Sequence, residues 1–303
     1  MSRGPRPQWT ITPELLDAWL KGANARYRAQ EVPPAQRPWL AIKELDADFK
    51  CSVSIPSQLA TDIFDWFAQH TQPGTQAIGA LFVGAFYFDA CFWPVEVLHG
   101  YGMVRFVALD ALSTMPNGIR VALGSAARDH HRFVRYWADC VDYGYGISDL
   151  DATKKLSARA AAFLASGDRA LRGAIAQLLA QRPDARAALG FREATEILLK
   201  ALLVQEKGYG DGELKKRFRH SIADIAEECI ELTNEQDFAT VAQSSSVFPE
   251  VVERYEGVDR SLNEVSKAVA VAQVAATAVV HRYTDRDLRE QIEGQLRASK
   301  PSA

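Results

Sequence analysis

The basic run at residues 215–220 is the segment of the sequence best suited to binding an anion. It reads Lys-Lys-Arg-Phe-Arg-His, so five of its six side chains can carry a positive charge. It follows a glycine-rich loop at residues 208–212 and precedes Ser221, which forms a helix-capping pair with Asp224. Cations beside the unpaired backbone N–H groups of a helix start suit a phosphate. The alternative is a solvated basic turn that balances acidic neighbours such as Glu213.

Two patterns of histidine and carboxylate residues have the chemistry of metal ligands. Glu96 and His99 have the E-x-x-H spacing of di-iron bundles, but such sites need a second copy, and the sequence has no second E-x-x-H. His130, in the Asp-His-His run at residues 129–131, shares a helical face with Phe133, which favours a hydrogen-bonded core histidine. The P-loop, GxSxG and HExxH motifs are also missing from the sequence. We therefore expect neither a metal nor a cofactor.

The composition is that of an ordinary globular protein. The 303 residues are enough for one large domain or two smaller ones, and 48% of them are apolar. A net charge of −3 argues against wholesale electrostatic binding of nucleic acid and leaves a local patch as the alternative. The four cysteines lie far apart without a C-x-x-C pair, which is typical of reduced thiols in a cytosolic protein. They are Cys51, Cys91, Cys140 and Cys229.

No segment predicts export or membrane insertion. The first ten residues contain cations but lack the apolar core of a secretory signal. Residues 77–95 are the most apolar stretch, but Asp89, Pro94 and the density of small and aromatic residues favour a packed core helix over a membrane span. We expect a cytoplasmic protein with no membrane partner.

The first half of the chain combines helical patterns with one strand pattern. Residues 12–14 read Thr-Pro-Glu, an N-cap followed by a first-turn proline and an acidic residue, and they predict a helix to about Tyr27. Residues 45–55 alternate apolar and polar side chains, which predicts a strand with one buried face. We expect residues 119–123 to be its partner in a small sheet. The alternative is an extended connector packed on helices.

Helical spacing of apolar residues returns at residues 59–67 and 130–141. The Tyr-Gly-Tyr-Gly run and the linker-like residues after it, together residues 143–151, are expected to end the second of these helices. Residues 152–182 are rich in Ala, Leu and Arg and suit one or two further helices, which end before Pro183.

The C-terminal third has the clearest helical pattern. Residues 191–202 carry one apolar stripe, a second stripe begins at Ser221, and a third covers residues 262–279 with apolar positions alternately three and four apart. Helices with narrow apolar stripes must bury them on one another, which predicts an antiparallel bundle.

The predicted fold class is therefore mainly α, in three parts. Residues 1–150 form a mainly helical domain in which a short β-hairpin is allowed. Residues 151–185 form a helical connector, and residues 186–303 form the C-terminal helical bundle.

Three short motifs in the bundle follow one another in an order found in a known family. Residues 196–203 read Glu-Ile-Leu-Leu-Lys-Ala-Leu-Leu, residues 220–222 place His-Ser-Ile at the start of the next helix, and Arg254-Tyr255 precedes an Ala-rich last helix at residues 261–282. These motifs resemble those of HEPN (higher eukaryotes and prokaryotes nucleotide-binding) domains over about residues 188–290. The resemblance implies a helical bundle that binds a nucleotide, RNA or a protein partner.

The polar residues that match the HEPN pattern are Glu196, Lys200, His220, Arg254 and Tyr255. Combined with the basic run, the pattern selects six candidate ligand-binding residues: Lys200, Arg217, Arg219, His220, Arg254 and Tyr255. The alternative for Glu196 and Lys200, which lie four residues apart, is a surface ion pair that contributes about 0.3–0.5 kcal/mol.

Some HEPN proteins are ribonucleases, and these resemble one another in an Arg followed after four to six residues by a His. None of the six histidines here has an arginine at that spacing, so catalytic residues stay unassigned and an enzyme is not favoured. We expect a non-catalytic module that binds the phosphate of a nucleotide or of RNA. The alternatives are an interaction or scaffolding protein that forms a dimer, and a metal-independent ribonuclease with an atypical acid–base set built on His220 or His281.

Overall fold

The computed structural model describes residues 11–50, 53, 57–70, 80–98, 107–250, 252–253 and 260–298. The chain divides into two units, residues 1–80 and residues 81–303. Over the described residues the secondary structure consists of twelve α-helices, three short 3-10 helices and one two-stranded antiparallel sheet, which confirms the mainly α class with a short hairpin.

The first unit contains three helices, α1 (Pro13–Ala29), α2 (Arg37–Phe49) and α3 (Gln58–His70). The predicted start of α1 is confirmed, because the Thr12 hydroxyl accepts a hydrogen bond from the backbone N–H of Leu15 at 3.3 Å. The apolar faces of the three helices form one core, whose largest fully buried members include Leu20, Tyr27 and Phe67.

The strand predicted for residues 45–55 is wrong over residues 45–49, which belong to α2. The buried residues Ala41, Ile42 and Leu45 lie on one face of that helix, so the apolar residues follow helical spacing rather than alternation. The helix ends at Lys50, which has the left-handed conformation with φ 51°. Residues 51–52 and 54–56 lie outside the described residues.

A β-hairpin opens the second unit, in a segment predicted to be helical. Strands β1 (Phe82–Phe88) and β2 (Cys91–Val97) pair antiparallel, with Phe82 opposite Val97. Asp89 and Ala90, the two residues between the strands, have φ of 52° and 57°, as a type I′ turn requires. Aromatic and β-branched residues fit a pleated surface, which explains why this apolar run forms strands. The predicted partner strand at residues 119–123 is instead part of helix α4 (Asn117–Ser125).

Helix α5 (Ala127–Thr153) runs unbroken through residues 143–151, where a helix end and a linker were predicted. The glycines there allow close packing instead of ending the helix. A Cβ atom at Gly144 would lie 2.9 Å from the Cβ of Phe82, and one at Gly146 would lie 2.0 Å from Val280 Cγ1. The predicted domain boundary at residue 150 therefore falls inside a continuous helix.

The rest of the second unit is helical. Its helices are α6 (Ala158–Leu178), α7 (Ala187–Lys207), α8 (Asp211–Phe218), α9 (Ile222–Thr233), α10 (Gln236–Gln243), α11 (Leu262–His281) and α12 (Leu288–Ala298). Helix α7 lies at the centre and packs against α6, α9 and α11, while α5 packs against α11, α12 and the hairpin. The predicted stripes of α7, α9 and α11 are buried in the core of this unit. No helix within the described ranges is long and apolar enough to cross a membrane.

Candidate functional site

The turn between α8 and α9 has an unusual backbone that two cations of α7 hold in place. Arg219 has φ 48° and ψ −102°, a conformation that L-residues rarely adopt and that costs on the order of 1–3 kcal/mol. Lys200 Nζ donates to the Arg219 carbonyl at 3.2 Å, and Arg192 Nη2 donates to the His220 carbonyl at 2.6 Å. Both carbonyls of the turn are therefore held against α7.

The carboxylate of Glu196 forms ion pairs with both of these cations, Lys200 and Arg192. It lies 2.5 Å from Lys200 Nζ and 3.4 Å from Arg192 Nη1, and its oxygens lie 3.1 and 3.3 Å from His220 Nδ1. The side chains of Glu196, Lys200 and Arg192 are only 12%, 12% and 10% exposed. The ion pair of Glu196 and Lys200, the alternative considered above, is therefore part of a largely buried network that fixes the turn to α7.

The start of α9 presents free backbone donors beside this turn. Ser221 caps the helix as predicted, because its hydroxyl accepts a hydrogen bond from the Asp224 N–H at 3.3 Å. Among the described residues, the N–H groups of Ile222 and Ala223 have no hydrogen-bond acceptor. Such groups, at the positive end of the helix dipole, attract anions.

A cavity of about 720 Å³ opens at this point and is named here the α9 cavity. It is lined by the α8–α9 turn, by the first residues of α9 and by residues 245–250. The hydroxyl-bearing residues Ser245 and Ser246 line it, and so do the carboxyl-bearing residues Asp224 and Glu250. The cavity therefore combines cations, hydroxyls and backbone donors with two acidic groups.

The structure describes four of the six predicted ligand-binding residues. Arg219 and His220 line the α9 cavity and are exposed, and no described residue pairs with the Arg219 guanidinium. Arg217 also lines the cavity, but it pairs with Glu228 at 2.8 Å and lies over the ring of Tyr209. Lys200 lies beneath the turn and holds its backbone.

Arg254 and Tyr255 lie outside the described residues, so their predicted role stays a prediction. Sequence reasoning missed Arg192 and the serines of residues 245–246. The available signal for Arg192 was its position four residues before Glu196, on the same face of α7. Nothing in the sequence indicated that Ser245 and Ser246 line the same cavity as the start of α9.

A second polar cluster joins α5 to the end of α11 and the start of α12. Ligand atoms of Asp142, His281 and Asp287 lie within 4.8 Å of one another, a spacing that a metal ion could bridge. The two carboxylates, however, already accept hydrogen bonds from the first turn of α12. Asp142 accepts one from the N–H of Leu288 at 2.8 Å, and Asp287 accepts one from the N–H of Glu290 at 2.8 Å. Their geometry is explained by helix capping without a metal.

His281 belongs to this cluster and has a perturbed pKa. Burial disfavours its charged form, but the hydrogen bond to Asp142, at 3.2 Å, and the charge of that carboxylate outweigh burial and raise the pKa of His281. The histidine thereby fastens the end of α11 to α5. Of the other metal candidates, Glu96 accepts a hydrogen bond from Ser113 at 2.7 Å, and His99 lies outside the described residues.

Comparisons with protein-family models, with curated proteins and with solved structures found no match to this chain. The resemblance of residues 188–290 to HEPN domains therefore stays a prediction.

Proposed function

We propose that this protein is a non-catalytic module that binds the phosphate groups of a nucleotide or of RNA in the α9 cavity. The observation that carries the proposal is the constrained turn, which places Arg219 and His220 next to the unpaired N–H groups of Ile222 and Ala223. A phosphate needs several donors from different directions, and this arrangement offers a guanidinium, an imidazole and two backbone groups.

The charges around the turn support an anionic ligand. The negative charge of Glu196 is matched by Lys200 and Arg192, which lie with it beneath the turn. No described residue pairs with the Arg219 guanidinium, which therefore keeps its positive charge free at the cavity wall. Asp224 and Glu250 oppose a free anion, so we expect the ligand to approach from the side of Arg219 and the two N–H groups.

The test is a thermal-shift titration with ATP, GTP, a cyclic nucleotide and a short single-stranded RNA. A ligand at 100 times its dissociation constant adds about 2.7 kcal/mol to the free energy of unfolding. Arg219→Ala should abolish the shift. Lys216→Ala is the matched control, because Lys216 is an exposed cation of the same basic run that does not line the cavity, and it should leave the shift unchanged.

Arg217→Ala adds a second comparison, because this arginine already pairs with Glu228. We expect it to weaken binding less than Arg219→Ala does. A shift that Lys216→Ala and Arg219→Ala reduce equally would indicate non-specific attraction to the basic run and would contradict the proposal. The absence of any shift would exclude these phosphate compounds as ligands.

One observation favours a second candidate, a metal-independent ribonuclease that uses His220. The Glu196 carboxylate contacts His220 Nδ1, while the imidazole is 65% exposed, so Nε2 can serve as a general base. Arg219 and the start of α9 would then neutralise charge at the phosphate. His281 is a poorer choice, because it is 13% exposed and its Nε2 contacts Asp142. RNA cleavage that His220→Ala abolishes and His281→Ala retains would establish this candidate in place of the non-catalytic module.

A further inference from the structure

A second cavity, named here the α5 cavity, lies between β1, α5 and α11 on the second unit. Its volume is about 400 Å³, within the range of sites for small organic ligands. The walls are mainly apolar and include Val269 and Val274 of α11. Two aromatic residues, Phe86 and Tyr136, also line it, with ring centroids 5.8 Å apart. Such walls favour a flat aromatic body.

One end of the α5 cavity is strongly basic. Arg128, His131, Arg132 and Arg135 follow the i, i+3, i+4, i+7 spacing of one helical face, and all four are exposed. Arg132 pairs with a carboxylate 3.1 Å away, and Arg135 lies 3.5 Å from another. Among the described residues, nothing pairs with the side chains of Arg128 and His131. This basic end suits a carboxylate.

The other end of the α5 cavity holds a buried carboxylate. Asp139 is 4% exposed, and its Oδ1 accepts no hydrogen bond from any described residue. Arg289 Nη1 lies 3.2 Å from this oxygen as an ion pair without hydrogen-bond geometry, and Arg289 also pairs with Asp237. A buried acceptor without a hydrogen bond is uncommon in folded proteins, and here it lines a cavity that a donor could enter.

The unpaired cations and Asp139 lie on the same helix. Asp139 is eight residues beyond His131 and eleven beyond Arg128, so the backbone separations are about 12 and 16 Å at 1.5 Å per residue. A ligand that connects them must extend along α5, as an aromatic ring with a side chain does.

We infer that the α5 cavity binds a small aromatic carboxylate that carries a hydroxyl or amino group at its opposite end. The carboxylate contacts the arginines of α5, the ring lies between Phe86 and Val274, and the donor group bonds to Asp139. The cavity uses none of the residues of the α9 cavity, so this inference stands or fails independently of the proposed phosphate binding.

Isothermal titration of the 303-residue chain with three probes tests the inference. The probes are 3-(4-hydroxyphenyl)propionate, 3-phenylpropionate, which lacks the donor, and 4-ethylphenol, which lacks the carboxylate. Losing a hydrogen bond to the charged arginines, or leaving the buried Asp139 oxygen without a donor, should each weaken binding about 10-fold or more. Asp139→Asn should reduce the preference for the hydroxylated acid over 3-phenylpropionate.

Ala270→Phe provides a second variant that does not depend on the buried cluster. Ala270 lines the α5 cavity but is exposed on α11, so the larger side chain should fill the cavity and abolish binding without unfolding the protein. Ala162→Phe, at an exposed alanine of α6 away from the cavity, is the matched control and should bind normally. Equal affinity for all three probes, unchanged binding by Ala270→Phe, or no binding at millimolar concentration would each overturn the inference.

Discussion

The buried carboxylate of Asp139 should make the stability of the second unit depend on pH. Burial raises its pKa from 3.8 to about 7, against the opposing charges of Arg289 and His281. Between these two values the folded protein holds a proton that the unfolded chain has released. Stability therefore falls as the pH rises through this window and is greatest at its acidic end.

The size of the effect follows from the free energy of one proton, about 1.4 kcal/mol per pH unit. Between about pH 5.5 and pH 7 the folded state should lose about 2 kcal/mol from this group alone. For a unit of this size, a change of 1 kcal/mol moves the melting temperature by about 2–4 °C, so the expected decrease is about 4–8 °C. Raised pKa values at His281 and Glu235 act in the same direction, since both favour the protonated folded state.

Scanning calorimetry of the wild type and of Asp139→Asn over this pH range is the assay. The neutral amide keeps the shape of the side chain but cannot ionise, so the variant should lose most of the decrease and keep the part due to His281 and Glu235. Asp151→Asn, at an exposed carboxyl near the end of the same helix, is the control and should retain the wild-type slope. The same slope in Asp139→Asn as in the wild type would show that Asp139 does not bind the proton responsible for the decrease.

Three further predictions concern packing and helix ends, each measured by urea unfolding. Gly146→Ala should destabilise the protein by about 1–3 kcal/mol, since its Cβ would lie 2.0 Å from Val280 Cγ1, whereas Gly173→Ala, with nothing within 4 Å, should be neutral or stabilising. Glu196→Ala should cost about 3–5 kcal/mol, because it leaves two largely buried cations without their carboxylate; a cost below 1 kcal/mol would show that the network does not hold the turn. Ser261→Ala should cost about 1 kcal/mol by removing the capping box of α11, and an unchanged stability would contradict that role.

The helices of the second unit that surround the α9 cavity could be predicted from the sequence. Their apolar residues repeat every three or four positions, and Ser221 marks the start of α9 through a local hydrogen bond. Both signals depend only on residues that are close in the sequence, so they can be identified without knowledge of tertiary contacts.

The hairpin and the unbroken α5 could not be predicted in the same way. An apolar run rich in aromatics suits a buried helix as well as a strand, and only pairing of Phe82 with Val97 decides between them. Gly144 and Gly146 indicate a helix end by propensity, yet here they admit the side chains of Phe82 and Val280. This packing role depends on contacts with residues that are far away in the sequence, so it cannot be predicted from the sequence.

The candidate site could be predicted only in part. The basic run pointed to Arg219 and His220, whose exposure follows from their position at a turn. Arg192 was missed because its role depends on the carbonyl of His220, 28 residues away. Lys200 is predicted as a ligand-binding residue from its match to the HEPN pattern, and its contact with the Arg219 carbonyl, 19 residues away, cannot be predicted from the sequence.

The most direct test of phosphate binding at the start of α9 follows the backbone amides of Ile222 and Ala223 by 1H–15N NMR during titration with ATP or a short single-stranded RNA. We expect these two amides, with that of Arg219, to show the largest chemical-shift changes and Arg219→Ala to remove them. Shifts spread over Lys215 and Lys216, with Ile222 and Ala223 unmoved, would contradict it.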